Sequence, residues 1–205
     1  MCRIQGNEET EQREIMKNLQ TRVITDIVTE PVSLTEAKTY CRVTGTQDDD
    51  LLASLIKSSR QALEKYTASS FAEKTLHVTW VESPGDMEIP YGPVISIDNV
   101  YRIDEEGEET ELELNSDFYV LGDQDAIIKL VKHYYSGVAF TSSIRVEYKA
   151  GYGNAATETL PEPLKVAILK QIATDYELRE NIGIGTTLSN DSKALAAPYR
   201  KRLWL

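Results

Sequence analysis

Carboxylates dominate the reactive groups of this sequence, with 33 Asp and Glu residues against 22 Lys and Arg, and three acidic clusters are compact enough to act together. Asp48-Asp49-Asp50 offers the oxygen ligands that a hard cation takes, but it stands directly before an apolar helical stripe. There carboxylates serve the positive end of a helix. Asp117, Asp123 and Asp125 lack the alternating spacing and closing Glu of a calcium loop, and they fit turns. Glu111 and Glu113 have the residue type of an acid–base pair, yet they belong to an acidic stretch, residues 104–113, folded about a glycine. A solvated hairpin tip accounts for them. His77 and His133 have strand-like neighbours and no Ser or Cys in a nucleophile-elbow setting. Gly151-Tyr152-Gly153 and Gly183-Ile184-Gly185 look like pieces of nucleotide loops, but neither has the Gly-Lys-Ser/Thr ending or a βαβ setting. They are chain-bending glycines. Cys2 and Cys41 lie far apart with no CxxC spacing and are expected to be reduced thiols. The sequence therefore predicts no catalytic, cofactor-binding or metal-binding residues, and no cofactor.

Charge and hydropathy narrow the class. The net charge of −11 is opposite in sign to a phosphate-gripping surface, so specific or tight nucleic-acid binding is not expected. No stretch approaches the roughly 18 apolar residues of a membrane span, and the first residues lack the apolar core of a signal peptide. A soluble chain is expected. With 205 residues and 41% hydrophobic content, the chain can bury one real core.

The elements that must position these groups follow from periodicity and caps. Residues 1–30 form an N-terminal arm with a polar run over residues 7–17. Ser33-Leu34-Thr35-Glu36 is a capping box opening a helix over 33–42, which Gly45 ends. A second helix, 48–67, carries Leu52, Leu55, Ile56, Ser59, Ala62, Leu63 and Tyr66 on its core face, and Lys57, Arg60, Gln61 and Glu64 on the other. Over 73–151 the period changes to two, as in Leu76-x-Val78-x-Trp80, Ile95-x-Ile97 and Ile144-x-Val146-x-Tyr148. Turns at Pro84-Gly85, Gly92-Pro93, Glu106-Gly107 and Gly122-Asp123 divide this β-insert into short antiparallel strands. Thr159-Leu160-Pro161-Glu162 repeats the capping-box spacing and opens a helix over 161–181, with Leu164, Ala167, Ile168, Ile172 and Tyr176 inward. Gly183 and Gly185 then loosen a C-terminal tail, 184–205. The predicted fold class is α+β: a small helical bundle with an inserted antiparallel β-sheet region and extended terminal arms, the central domain spanning 31–183.

With these elements placed, the sequence resembles the head-tail connector (adaptor, or head-completion) proteins of tailed bacteriophages, over about residues 31–200. The resemblance starts at Pro31-Val32-Ser33-Leu34-Thr35-Glu36-Ala37-Lys38, runs through Arg42-Val43 and Asp49-Asp50, and includes Glu64-Lys65-Tyr66-Thr67. It continues with Ile89-Pro90, Pro93-Val94, Val146-Glu147-Tyr148-Lys149-Ala150-Gly151-Tyr152-Gly153, Leu160-Pro161-Glu162-Pro163-Leu164-Lys165 and Ala197-Pro198-Tyr199-Arg200. The resemblance implies a protein with no active site, made in the bacterial host cytoplasm and located in the virion neck. It implies a homo-oligomeric ring, a dodecamer in the family pattern, beneath the portal protein. Such a ring extends the DNA channel and presents a platform to the next connector, stopper or tail protein, and DNA passes without specific binding.

Two surfaces follow as candidates. Tyr199, Arg200, Lys201, Arg202, Leu203 and Trp204 combine aromatic and apolar anchors with orienting charge and are expected to dock on the portal or a neighbouring copy. Asp104, Glu105, Glu106, Glu108 and Glu109 form the densest acidic tip, a candidate channel-facing loop. The alternatives are another neck or tail-terminator module, or a small hydrolase, which would need a convergent pocket with a perturbed nucleophile or base.

Overall fold

A computed structural model describes residues 19–81, 86–123, 125–131, 142–153, 160–178 and 188–201. The fold is α+β, and its described residues divide into two compact units, each with its own hydrophobic cluster.

The helical unit lies within residues 27–73 and 151–202. Helix α1 (Leu34–Cys41) starts at the expected capping box: Ser33 Oγ accepts from the Glu36 amide at 3.2 Å, and the Ser33 amide donates to Glu36 Oε2 at 2.8 Å. Such a cap contributes about 1 kcal/mol. It ends at Arg42 in the left-handed region (φ 57°), not at Gly45, because the Arg42 amide already closes on the Lys38 and Thr39 carbonyls. Helix α2 (Asp49–Thr67) begins with Asp49 and Asp50 in its first turn, where carboxylates complement the helix dipole. Asp48 is the cap by position only; its Oδ2 accepts instead from the Tyr176 hydroxyl at 2.6 Å. Helix α3 (Glu162–Glu177) has no side-chain cap at Pro161, and Thr159 lies outside the described residues. Helix α4 (Asn190–Ala196) is capped by Ser189 and continues into a 3-10 turn (Ala197–Tyr199). Leu52, Ile56, Leu63, Leu164, Ala167, Ile168, Ile172 and Ala196 form the core. Each fully buried Leu or Ile contributes about 1.5–3 kcal/mol.

The sheet unit draws on residues 19–26 and 74–150. Strands β1 (Leu19–Thr25), β2 (Lys74–Trp80), β8 (Ser143–Ala150), β4 (Val94–Ile103) and β5 (Glu109–Glu111) pair antiparallel in that order. Strands β3 (Asp86–Glu88), β7 (Ile127–Leu130) and β6 (Phe118–Leu121) form a smaller sheet. Strands β2 and β8 alternate strictly, burying Leu76, Val78, Trp80, Ile144, Val146 and Tyr148 against Met87, Phe118 and Ile128. The Tyr148 hydroxyl, deep in this core, donates to the Pro90 carbonyl at 2.7 Å. Strand β4 departs from the expected alternation. Register shifts between Val94 and Ser96 and between Ile97 and Asn99 leave Ile95 exposed while Val100 goes inward.

Three further differences from the sequence reading have physical causes. Residues 19–25 of the expected N-terminal arm are strand β1, at the edge of the larger sheet, because Leu19 packs beside Trp80 and the backbone completes the β2 ladder. Arg60 and Glu64, expected on the solvent side of α2, are buried. Arg60 sends Nε to Glu30 Oε2 and Nη1 to Glu64 Oε2, both at 2.8 Å, and Glu64 Oε1 accepts from the Phe71 amide at 2.8 Å. The paired charges let both side chains leave water. Residues 190–199, expected in a loose tail, are built into the helical core: Ala196 is buried, and the Ser192 hydroxyl donates to the Ala167 carbonyl at 3.0 Å.

Candidate interaction surfaces

The acidic tip is the turn between β4 and β5. Gly107 adopts φ +84°, which lets the chain reverse without strain. Asp104 organises the turn. Its Oδ1 accepts from the Glu108 amide at 2.8 Å, its carbonyl from the Gly107 amide at 3.1 Å, and its own amide donates to the Glu108 carbonyl at 3.1 Å. Glu105, Glu106 and Glu108 are exposed at the end. Glu109 is turned back instead: Arg145 grips its carboxylate through both Nη1 and Nη2, the second at 2.6 Å, and holds it below the usual carboxylate range. Four of the five sequence-predicted acidic residues thus share one rigid turn, and the fifth anchors it to β8.

Arg145 is the centre of a polar network on the outer face of the larger sheet. Its guanidinium lies 4.8 Å from the Tyr101 ring centroid and 3.8 Å from Glu147. Glu147 in turn accepts from Asn99 Nδ2 at 3.1 Å and lies 3.1 Å from His77 Nε2. His77 is therefore a sheet-face residue paired with a carboxylate, and His133 lies outside the described residues. Sequence reading missed this network; the cross-strand pairs that build it, His77 with Glu147 and Arg145 with Tyr101, depend on register.

The other candidates fall in ordinary structural roles. Asp117 Oδ2 accepts from the Glu113 amide at 2.9 Å in a turn. Gly151 is a close-approach glycine: at φ +139°, a Cβ there would lie 2.2 Å from the Ala72 carbonyl oxygen. Cys41 is partly buried, which raises its thiol pKa, and Cys2, Gly183 and Gly185 lie outside the described residues. Among the described residues, no three His, Cys, Asp or Glu side chains come together as a metal ion would need. No described helix is long and apolar enough to cross a membrane.

The candidate docking segment leaves the 3-10 turn at the C-terminal end of α2. The Arg200 guanidinium lies 5.5 Å from the Tyr66 ring centroid, and the Lys201 amide donates to the Thr67 carbonyl at 2.9 Å. Tyr199, Arg200 and Lys201 are thereby placed together; Arg202, Leu203 and Trp204 lie outside the described residues.

With this geometry established, residues 31–117 match the family described as phage gp6-like head-tail connector protein. The match covers less than half of the 205 residues, and over that stretch the chain is similar to the family. The connector match takes in α1, α2 and β2 to β5, and it stops short of the motifs at 146–153, 160–165 and 197–200 that also suggested the family. Solved structures extend the likeness. A chain from the neck of an empty GTA particle, computed with C6 symmetry, aligns with a TM-score of 0.71 at 19% identity, covering 91% of this chain and 97% of that one. A chain from the virion of a native gene transfer agent particle aligns at 0.70 and 20% identity, with the same coverage. A third, from the neck of a native GTA particle computed with C12 symmetry, aligns at 0.68 and 19% identity. At this identity the likeness is one of fold. No curated protein sequence matches this chain.

Proposed function

We propose that the chain is a structural head-tail connector subunit in a virion neck. Copies form a ring beneath the portal, about a dozen by the family pattern. The ring continues the DNA channel and gives the next connector, stopper or tail protein its platform. The observation that carries this reading is the connector-family match over residues 31–117, and a fold shared with GTA neck and virion chains over 91% of the sequence supports it. The role requires no reaction, only shape, stability and surface charge. A net charge of −11 suits a passage for DNA, since a negative wall repels phosphates and a basic one would hold them.

The portal or neighbour dock is assigned to Tyr199, Arg200, Lys201, Arg202, Leu203 and Trp204. Residues 190–199 anchor this segment in the helical core, and the Lys201–Thr67 hydrogen bond fixes where it leaves. Two locations suit the tip formed by Asp104, Glu105, Glu106, Glu108 and Glu109: the channel wall, or a contact between neighbouring copies.

Electron microscopy of portal-containing particles tests the reading. The full chain is expected to appear as a closed ring on the portal axis. A variant lacking residues 202–205 should keep its circular dichroism and lose the ring. A single copy bound off-axis defeats the connector role, and normal rings from the shortened chain remove the tail from the dock.

A further inference from the structure

Helix α2 turns one face to solvent: Ala53, Ser54, Lys57, Gln61 and Lys65, at helical steps that align them on one side. From residue 51 to the helix end, Glu64 is the one carboxylate, and it is buried against Arg60. The exposed charges on that stretch are Lys57 and Lys65, and neither has an ion-pair partner among the described residues. Arg200 adds a third cation at the same helix end, over Tyr66. Past the exposed Asp50 of the first turn, a face that carries cations and no exposed carboxylate is unusual in a chain with 33 acidic residues and 22 basic ones, and it calls for an acidic occupant.

The chain itself supplies one of matching character. Residues 104–111 contain no Lys or Arg, and Glu106 and Glu108 project at the exposed end of the β4–β5 turn. This tip is pre-shaped by the Asp104 hydrogen bonds and tethered through Glu109 to Arg145, so docking would order little that is not already ordered. A channel wall needs only diffuse negative charge; a braced projection suits a specific contact.

We infer that the β4–β5 tip of one copy docks on the α2 face of the next copy, with Glu106 and Glu108 opposite Lys57 and Lys65. The inference rests on the ring reading above. It deepens that reading by naming the two unlike patches that a head-to-tail ring requires. One patch lies on the sheet unit and the other on the helical unit, so each copy gives a tip and receives one.

Charge exchange tests it on assembled particles containing the portal. Reversing the tip alone (Glu106→Lys with Glu108→Lys) or the helix face alone (Lys57→Glu with Lys65→Glu) is expected to raise the concentration needed for ring assembly about tenfold or more. Carrying both reversals in every copy should restore assembly. All four side chains are exposed, so circular dichroism and melting temperature should not move. The docking is overturned if either single-sided reversal assembles normally, or if the combined variant assembles no better than the one-sided ones. A reversed tip that forms full rings yet slows DNA ejection would place the tip in the channel instead. Wild-type particles lacking any ring would defeat the connector reading itself, a result distinct from rings that form but ignore the exchange. As a second measurement, Lys57→Cys with Glu106→Cys, in a background of Cys2→Ser and Cys41→Ser, should give a ladder of oxidised oligomers; monomers alone would also overturn the contact.

Discussion

Arg60 donates Nη1 to Glu64 Oε2 at 2.8 Å, one helical turn apart, with the two side chains only 1% and 6% exposed. The pair ties three segments together. Glu30 from the chain before α1 takes the other edge of the guanidinium, and Glu64 receives the Phe71 amide from the chain after α2. A helix face that would otherwise meet water becomes the post around which the connections into and out of the α1–α2 pair are fixed.

Truncating Arg60 to Ala would leave the buried Glu64 carboxylate, and the partly exposed Glu30, without their shared cation, and is expected to lower the unfolding free energy by about 3 kcal/mol. Urea denaturation followed by circular dichroism measures it. A loss below about 1 kcal/mol would show that water reaches the pair and that its burial has little energetic weight.

Gly151→Ala should prevent correct closure of the chain as it re-enters the helical unit, because the added Cβ meets the Ala72 backbone at 2.2 Å and the residue sits at φ +139°. The expected outcome is insoluble protein or a melting temperature well below wild type. A variant that melts like wild type would mean that the Ala72–Gly151 approach relaxes freely.

The pH dependence has a sign that can be worked out at Glu36. Lys165, at 2.6 Å, and the Ser33 bonds lower its pKa from 4.5 to about 2. A carboxylate lowered on folding stabilises the protein above its unfolded pKa, and the contribution disappears as pH falls from 4.5 toward 2. Because the side chain is 41% exposed, screening holds the effect below about 1 kcal/mol. Glu36→Gln should lower stability at neutral pH and flatten the acid limb of the stability curve; an unchanged acid limb would contradict the assignment.

Tyr176→Phe removes the 2.6 Å hydrogen bond to Asp48 that joins the end of α3 to the start of α2. A loss of about 1.5 kcal/mol is expected for a bond to a charged acceptor. Asp48→Asn, which keeps an acceptor, should cost less. Equal losses would mean that Asp48 acts through the α2 dipole and not through the hydroxyl.

The sequence revealed elements where one periodicity ran unbroken. The stripe from Leu164 to Tyr176, the alternation in β2 and β8, and the Ser33–Glu36 box all depend on residues within a turn or two of each other. What it hid depends on distant partners. Arg60 and Glu64 read as solvent-facing because charged residues usually are, and only Glu30, 30 positions away, makes their burial possible. Ile95-x-Ile97 read as plain alternation because bulges are invisible to a strict period of two, and the register shifts in β4 leave Ile95 exposed. The acidic tip was placed correctly as a turn, yet the Arg145 grip on Glu109 needed the β4–β8 register to be known. Residues 199–201 read as part of a loose tail, because the hydrogen bond from the Lys201 amide to the Thr67 carbonyl joins positions far apart in the sequence.

Strand β1 has a consequence for the order in which the protein is made. It precedes every described helix, yet its hydrogen-bonding partner is β2, and β2 in turn lies between β1 and β8. At a translation rate of about 5–20 residues per second, β1 leaves the ribosome several seconds before β2, and longer still before β8. During that interval α1 and α2 emerge, while Val23 and Ile24, which stay largely exposed even in the finished sheet, have no ladder to join. The edge of the sheet is thus contributed by the earliest described segment to be synthesised, and it can close only once β2, on the far side of α1 and α2, has emerged. Until β2 emerges the nascent chain carries this strand unpaired, with Leu19, Val23 and Ile24 uncovered, and chaperone capture or premature pairing between chains would act on residues 19–25.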